Sequence, residues 1–399
     1  MKQLKSIAKS LNDFQKILIL FLVWRVVLFV IAYLATIFIP TWGGWYPYVE
    51  RSLEITGLPS WIWGFGGFDG VHYLRIAQNG YVTGSQAFFP MYPVVINLLS
   101  RIIPVANYYD PQFFVNTNFF YAGMIISNLI FIPALWVVKK LFDTYTESRY
   151  SWLAIILLLV FPTSFFFGAI YTESIFLFFA ASTLYFYKKG NYFLAGLFGI
   201  LTSATKIVGI AIPGIMIIDA LIGLWKREMK GKNWRTLFSG IVGSLGLFSY
   251  MAYLQVKFGD ALLFLNSQPM FGAGRSAEPV ITLPQVFYRY FKILSSIPFT
   301  EMRFYNALFE LLLTIVILVV LLVSVKKIKF SYWLATLAMI IVPTLTGTFS
   351  SMPRYILVAF LLFPFIASRL KKAYTPVAIA LGILGVICIA LFTKGYWVA

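Results

Sequence analysis

Apolar runs of about 20 residues, the length that crosses a bilayer as a helix, recur along the chain. They lie near 15–39, 118–138, 151–169, 173–187, 235–256, 303–325, 331–349, 353–368 and 374–393. The stretch 191–225 is too long for one helix and carries Lys206 at its centre. Both of its flanks are basic: Lys188 and Lys189 before it, Lys226, Arg227, Lys230, Lys232 and Arg235 after it. Basic residues stay on the cytoplasmic side, so this stretch must cross twice, as two short helices meeting near Lys206 on the far side. The pattern predicts an all-α polytopic membrane protein of eleven spans, with a cytoplasmic amino terminus. On that assignment the inner connections hold 20 Lys/Arg against 4 Asp/Glu, and the outer ones 11 against 8. The first apolar run is too long for a signal peptide and lacks a small-x-small cleavage site, so it is expected to stay as an anchor.

Two outer connections are too long to be simple turns. The first, 40–117, contains Trp42, Trp45, Trp61 and Trp63 and the chain's one histidine. Within it, 88–104 is apolar, short and interrupted by Pro90 and Pro93, which predicts a re-entrant or interfacial helix. The second, about 257–302, carries Asp260, Arg275, Glu278 and Arg289. Long structured loops on one face of a bundle are where function usually sits. Three ionisable residues fall inside spans: Arg25, Asp219 and Glu310. A charge at that depth needs a partner, so Arg25 is expected to pair with one of the two acids. The outer tryptophans and tyrosines suit sugar or isoprenoid stacking, and equally an interfacial aromatic belt.

Composition narrows the class. With 60% apolar and 12% charged residues, a disordered chain, a secreted disulfide scaffold and a nucleic-acid-binding domain are excluded. The net charge of +18 reflects the inner-face bias and affinity for anionic lipid headgroups, not nucleic acid. A single cysteine, Cys388, cannot form an internal bridge.

The most informative run is Gly67-Phe68-Asp69-Gly70-Val71-His72-Tyr73-Leu74-Arg75-Ile76-Ala77, followed by Gly80-Tyr81 and Ala87-Phe88-Phe89-Pro90-Met91-Tyr92-Pro93. Read as a helix with Asp69 as its N-cap, it projects Asp69, His72 and Tyr73 to one side, with Arg75 continuing the turn. A carboxylate beside an imidazole at the membrane–water boundary can take the proton of an attacking hydroxyl. A capping Asp beside a surface His is the plainer alternative. No DxD pair, P-loop or Cys/His metal signature is present.

This run resembles the motif of the membrane mannosyltransferases related to GPI mannosyltransferase 2, the PIG-V-like family. That motif reads roughly (W/F)-D-x-x-(H/Y)-(F/Y)-x-x-I-A-x-x-G-Y, then A-F-F-P-x-(Y/F)-P. Further segments are similar: Phe161-Pro162-Thr163-Ser164, Tyr171-Thr172-Glu173-Ser174, Thr205-Lys206-Ile207-Val208-Gly209 and Pro353-Arg354-Tyr355. The third keeps only Thr, a basic residue and Gly of the family's T-R-S-N-G. The resemblance implies a GT-C glycosyltransferase fold over 1–399 as a single domain, a polyprenyl- or dolichyl-phosphate-mannose donor, a glycolipid or glycan acceptor, and a site on the outer or luminal face.

On this reading Asp69 is the base in a direct inverting displacement. His72, Tyr73, Arg75, Tyr171 and Glu173 bind substrate, while Lys206, Arg275 and Arg354 hold the donor phosphate. Arg275, in Gly272-Ala273-Gly274-Arg275, is expected in a flexible loop that closes over the donor. A monophosphate leaving group needs no divalent ion, so no metal or other cofactor is expected. The membrane is the plasma membrane in a prokaryote and the endoplasmic reticulum in a eukaryote. A lipid-linked-sugar flippase and a non-catalytic glycan-binding subunit are the alternatives from other classes.

Overall fold

The structure, a computed structural model, describes residues 11–42, 53–104, 115–227, 230–278 and 280–398. Trp45 and the amino-terminal Lys2, Lys5 and Lys9 lie outside the described residues. Among those described there is no strand. The helices of seven or more residues are α1 (Asp13–Phe38), α2 (Asp69–Asn79), α3 (Met91–Ser100), α4 (Thr117–Phe142), α5 (Ser148–Val160), α6 (Glu173–Lys188), α7 (Tyr192–Ser203) and α8 (Ala211–Trp225). They continue as α9 (Lys230–Phe258), α10 (Leu283–Ser296), α11 (Met302–Ser324), α12 (Phe330–Thr344), α13 (Met352–Val358), α14 (Phe363–Leu370) and α15 (Tyr374–Thr393).

Every expected span coincides with helix, but the lengths differ. Among the described residues six stretches are long and apolar enough to cross a membrane: α1, α4, Ile207–Trp225, Gly231–Phe258, α11 and Phe360–Thr393. The last is bent at Lys371, whose φ is +44°. The other five expected spans are helical but shorter or broken. The 151–169 run stops at Val160 because Pro162 cannot continue the ladder, and 353–368 is split between α13 and α14. A chain with this many apolar helices is an integral, multi-pass membrane protein.

The 191–225 stretch breaks into α7 and α8 around Lys206, as its charge pattern predicts. The 88–104 segment shortens to α3. Tyr92 and Ile96 of α3 are buried while Val94 and Leu98 are exposed, so one face of the helix packs inward. α9 presents Gly243 and Gly246 to α7, and a Cβ on Gly246 would lie 2.0 Å from the Ile200 carbonyl oxygen. Small residues at such a seam let two membrane helices approach backbone to backbone.

Residues assigned to the inner face by charge meet one another. Lys139 lies 2.6 Å from Asp143 and 3.7 Å from Asp13. Asp219 pairs with Lys329 at 2.5 Å and accepts from Tyr187 and Ser331.

Arg25 corrects the expectation made for it. It pairs with neither acid: Asp219 is taken as above, and Glu310 accepts from the Tyr290 hydroxyl. The Arg25 guanidinium instead stacks over Phe29 and Phe65, 4.0 and 4.4 Å from their ring centroids, and its terminal nitrogens have no hydrogen-bond partner. Aromatic faces are the compensation this packing supplies.

Candidate functional site

Two tight starts aim the central charges. Phe68 has φ +57° and ends the 67–68 turn into α2, and Ser351 has φ +72° immediately before α13. Non-glycine residues pay for such conformations with about 1–3 kcal/mol of strain and hold them where the surroundings fix them. Phe68 is held by its ring, stacked on Phe392 and edge-on to Trp397. The consequence is that Asp69 is the first residue of α2 and not its N-cap, which is Phe68. Its carboxylate turns away from the helix end and accepts a 2.6 Å hydrogen bond from Arg354 Nη1.

The family-like segments are stitched together around this pair. The Tyr171 hydroxyl donates to the Gly67 carbonyl at 3.0 Å, and Thr163 Oγ1 donates to the Pro353 carbonyl at 2.8 Å. Glu173, the first residue of α6, is 1% exposed. Its Oε1 lies 2.5 Å from Lys206 Nζ and 3.6 Å from Arg354 Nε. Phe166, Tyr171 and Trp397 surround the Arg354 guanidinium at 5.3–5.9 Å. Asp69, Arg354, Glu173 and Lys206 thus form one continuous chain of alternating charge.

Lys206 reaches Glu173 from an extended residue between α7 and the Ile207–Ile210 turn. Gly209 makes that turn possible, since a Cβ there would lie 2.3 Å from the Thr202 carbonyl oxygen. Gly209→Ala is therefore expected to lower stability by about 1–3 kcal/mol and to displace Lys206. Thermal unfolding checks this against Gly214→Ala, where a Cβ meets nothing within 4 Å and the midpoint should hold.

The charged chain opens on two adjoining cavities. One, about 110 Å³, is lined by Asp69, Tyr73, Lys206, Arg275 and Arg354 among apolar neighbours. The other, about 350 Å³, shares Asp69, Phe271 and Arg275 with it and adds His72, Ser351 and Trp397. His72 stacks on Phe88 at 4.8 Å with an interplanar angle of 14°. Asp69, Tyr73, His72, Lys206, Arg275 and Arg354 are therefore brought together. Glu173 and Tyr171 line neither cavity; they stand behind Lys206 and Arg354. Arg75 lines neither cavity.

Arg275 is not on a free loop. Arg289 donates to the carbonyls of Ala273, Gly274 and Gly347, and Ser276 N–H donates to Thr346. These bonds tie the glycine-rich segment to α10 and to the 346–347 turn.

Burial pushes the Asp69 carboxyl upward, but the Arg354 charge and hydrogen bond, helped by His72 and Arg275, outweigh it and hold Asp69 below its ordinary value. Burial lowers the His72 imidazole more than Asp69 raises it. At neutral pH Asp69 is ionised and His72 neutral.

Trp397 and Phe271 line the site and were missed from sequence; an aromatic near an outer helix end carries no signal that separates a site from a membrane belt. Among the described residues no three His, Cys, Asp or Glu side chains cluster as metal ligands do.

Comparison with known proteins covers the family-like segments up to Gly209, while Pro353-Arg354-Tyr355 lies beyond the matched residues. The profile of the mannosyltransferase (PIG-V) family matches residues 15–268. GPI mannosyltransferase 2 of Drosophila pseudoobscura is 27% identical over 148 residues, 35% of this chain and 29% of that protein; the match thus spans less than a third of the relative's length. The apo crystal structure of the Archaeoglobus fulgidus oligosaccharyltransferase aligns with a TM-score of 0.43 at 12% identity, covering 95% of this chain and 56% of that one. The family match takes in Asp69, Glu173 and Lys206 with the helices that carry them, and the chain belongs to the mannosyltransferase (PIG-V) family.

Proposed function

We propose that the protein transfers a sugar, mannose on its family membership, from a polyprenyl-phosphate donor to a hydroxyl of a glycolipid or glycan on the outer face. The observation that carries this reading is the convergence of one carboxylate, Asp69, with three cations, Lys206, Arg275 and Arg354, on one cavity. A groove of about 740 Å³ is walled by Ile76, Met91, Val94, Leu98 and Leu201. It shares no lining residue with the charged cavity, but its Ala204 immediately precedes Thr205 and Lys206 of that cavity. A mainly apolar groove one residue along the chain from cations suits a lipid tail that carries a phosphate.

The step is a direct inverting displacement. Asp69 takes the acceptor hydroxyl's proton, the oxygen attacks the anomeric carbon, and the bond from that carbon to the phosphate oxygen breaks. Polyprenyl phosphate leaves with the electron pair, and Lys206 and Arg354 meet its developing charge. In the resting protein Arg354 is occupied by Asp69. A donor phosphate that draws Arg354 away frees Asp69 and raises its affinity for a proton, so the base strengthens as donor binds. This reading needs no metal, because side-chain cations serve the leaving group.

The test is donor choice. Purified protein offered polyprenyl-phosphate mannose is expected to glycosylate an acceptor mixture, at an undiminished rate in excess EDTA. Transfer from a nucleotide sugar instead, or abolition by EDTA, would overturn the reading.

A further inference from the structure

A second cationic cavity lies at the opposite end of the bundle from Asp69. Four connections assigned to the inner face converge on it: the turn around Tyr145, the end of α6 at Lys188, the 325–329 turn with Lys327 and Lys329, and the end of α14 at Arg369. It holds about 350 Å³. Asp219, which does not line the cavity, is spent on Lys329, Tyr187 and Ser331. Among the described residues Lys188, Lys327 and Arg369 have no carboxylate within ion-pair distance. Lys188 rests over the Tyr145 and Tyr332 rings, 4.7 and 5.5 Å from their centroids, which fixes its position without neutralising it.

Three exposed cations without an ion-pair partner around one space repel each other through the solvent, and an anion seated among them turns that repulsion into attraction. A guanidinium with two ammonium groups matches the several oxygens of a phosphate. The remaining wall is apolar, formed by Ile328, Leu361, Pro364 and Phe365. Basic pockets between membrane helices on the cytoplasmic side take anionic headgroups. We propose that this cavity binds the phosphate of an anionic membrane lipid, with Lys188, Lys327 and Arg369 as ligands and the apolar wall against the first part of its tail. The site is independent of the outer cavity and of the activity assigned there.

The test uses the full chain, delipidated in neutral detergent, with phosphatidylglycerol, phosphatidylcholine and inorganic phosphate as separate probes. Phosphatidylglycerol is expected to raise the thermal midpoint and to appear bound in native mass spectra, and phosphatidylcholine is not. Each neutralised charge should weaken binding about fivefold, so Lys188→Gln/Lys327→Gln/Arg369→Gln should lose roughly a hundredfold. The exposed Lys327→Gln alone, with Lys327→Arg as its charge-keeping control, gives the answer if the triple variant fails to fold. Inorganic phosphate acting as strongly as the lipid overturns the lipid assignment. Equal responses to both lipids, or an unchanged response in the variants, overturns the site.

Discussion

Asp69→Asn is expected to cut sugar transfer by about 10² or more, the usual scale of general-base loss. Asn keeps the shape and can still accept from Arg354, so the start of α2 and its packing against Tyr171 should persist. The charge relation adds a second, opposite effect. Wild-type Asp69 competes with an incoming phosphate for Arg354, only 2.6 Å away. Removing its charge should leave binding of free polyprenyl phosphate at least as tight as in wild type. Loss of turnover with retained or improved donor binding is the signature of a base. Parallel loss of both would reduce Asp69 to a structural partner of Arg354. The acid limb of the wild-type rate should follow the same logic. Asp69 is held low in the free protein, so kcat/KM should persist well below neutral pH, while kcat, set in the donor complex where Arg354 is drawn away, should fall at a higher pH. His72→Ala should be milder, since His72 is assigned orientation and not proton transfer.

Neutralising the cations gives the second large effect. A charge-assisted contact is worth about 1.5–3 kcal/mol, so Lys206→Gln and Arg354→Gln should each weaken donor binding roughly 10- to 150-fold, leaving acceptor dependence nearly unchanged. Both cations converge on Glu173 Oε1 as well as on the cavity, so the double variant should be non-additive. Glu173 Oε2 already lacks a protein partner, and removing both cations would bury an uncompensated carboxylate, which is strongly destabilising. Glu173→Gln in the same background should restore folding without restoring donor affinity. Arg354→Lys should recover only part of the loss, because an ammonium cannot face Asp69 with one nitrogen and Glu173 with another. If the cations only anchor helices to headgroups, the effects should be additive on stability with no change in affinity. Titrating polyprenyl phosphate into the four proteins separates the two accounts.

Much of this arrangement was legible before any coordinates. Hydropathy located the helices beginning at Glu173 and carrying Arg354, the FDGVHY run marked α2, and basic flanks placed Lys206 at a break between two short helices. Hydropathy alone could not fix span lengths. The Phe161-Pro162 stop and the split of 353–368 depend on where backbone hydrogen bonds end, which apolar composition does not report. The FDGVHY run marked Asp69, but spacing made it a cap, because nothing local shows that Phe68 takes a left-handed backbone and turns the carboxylate outward. Ion-pair partners were the least readable feature. Asp69 and Arg354 stand 285 positions apart, and Arg25 had two plausible acids in the sequence yet lies against aromatic rings. Which charge meets which is a property of packing, and single-chain patterns say only that a membrane charge needs some compensation. Glu173 shows the same limit: its segment was found, while its position behind the cations depended on Lys206 and Arg354 converging from different helices.

The central claim, sugar transfer from a lipid phosphate by base catalysis in the outer cavity, is tested most directly by following both halves of a doubly labelled donor. Purified protein in sealed vesicles would receive polyprenyl-phosphate mannose labelled in the sugar and in the phosphate, with an acceptor glycolipid extract. The account predicts one polyprenyl phosphate released for each mannose gained by acceptor, with inversion at the anomeric carbon, and neither product from Asp69→Asn. Movement of intact donor across the bilayer without release of polyprenyl phosphate, or equal release by Asp69→Asn, would contradict it.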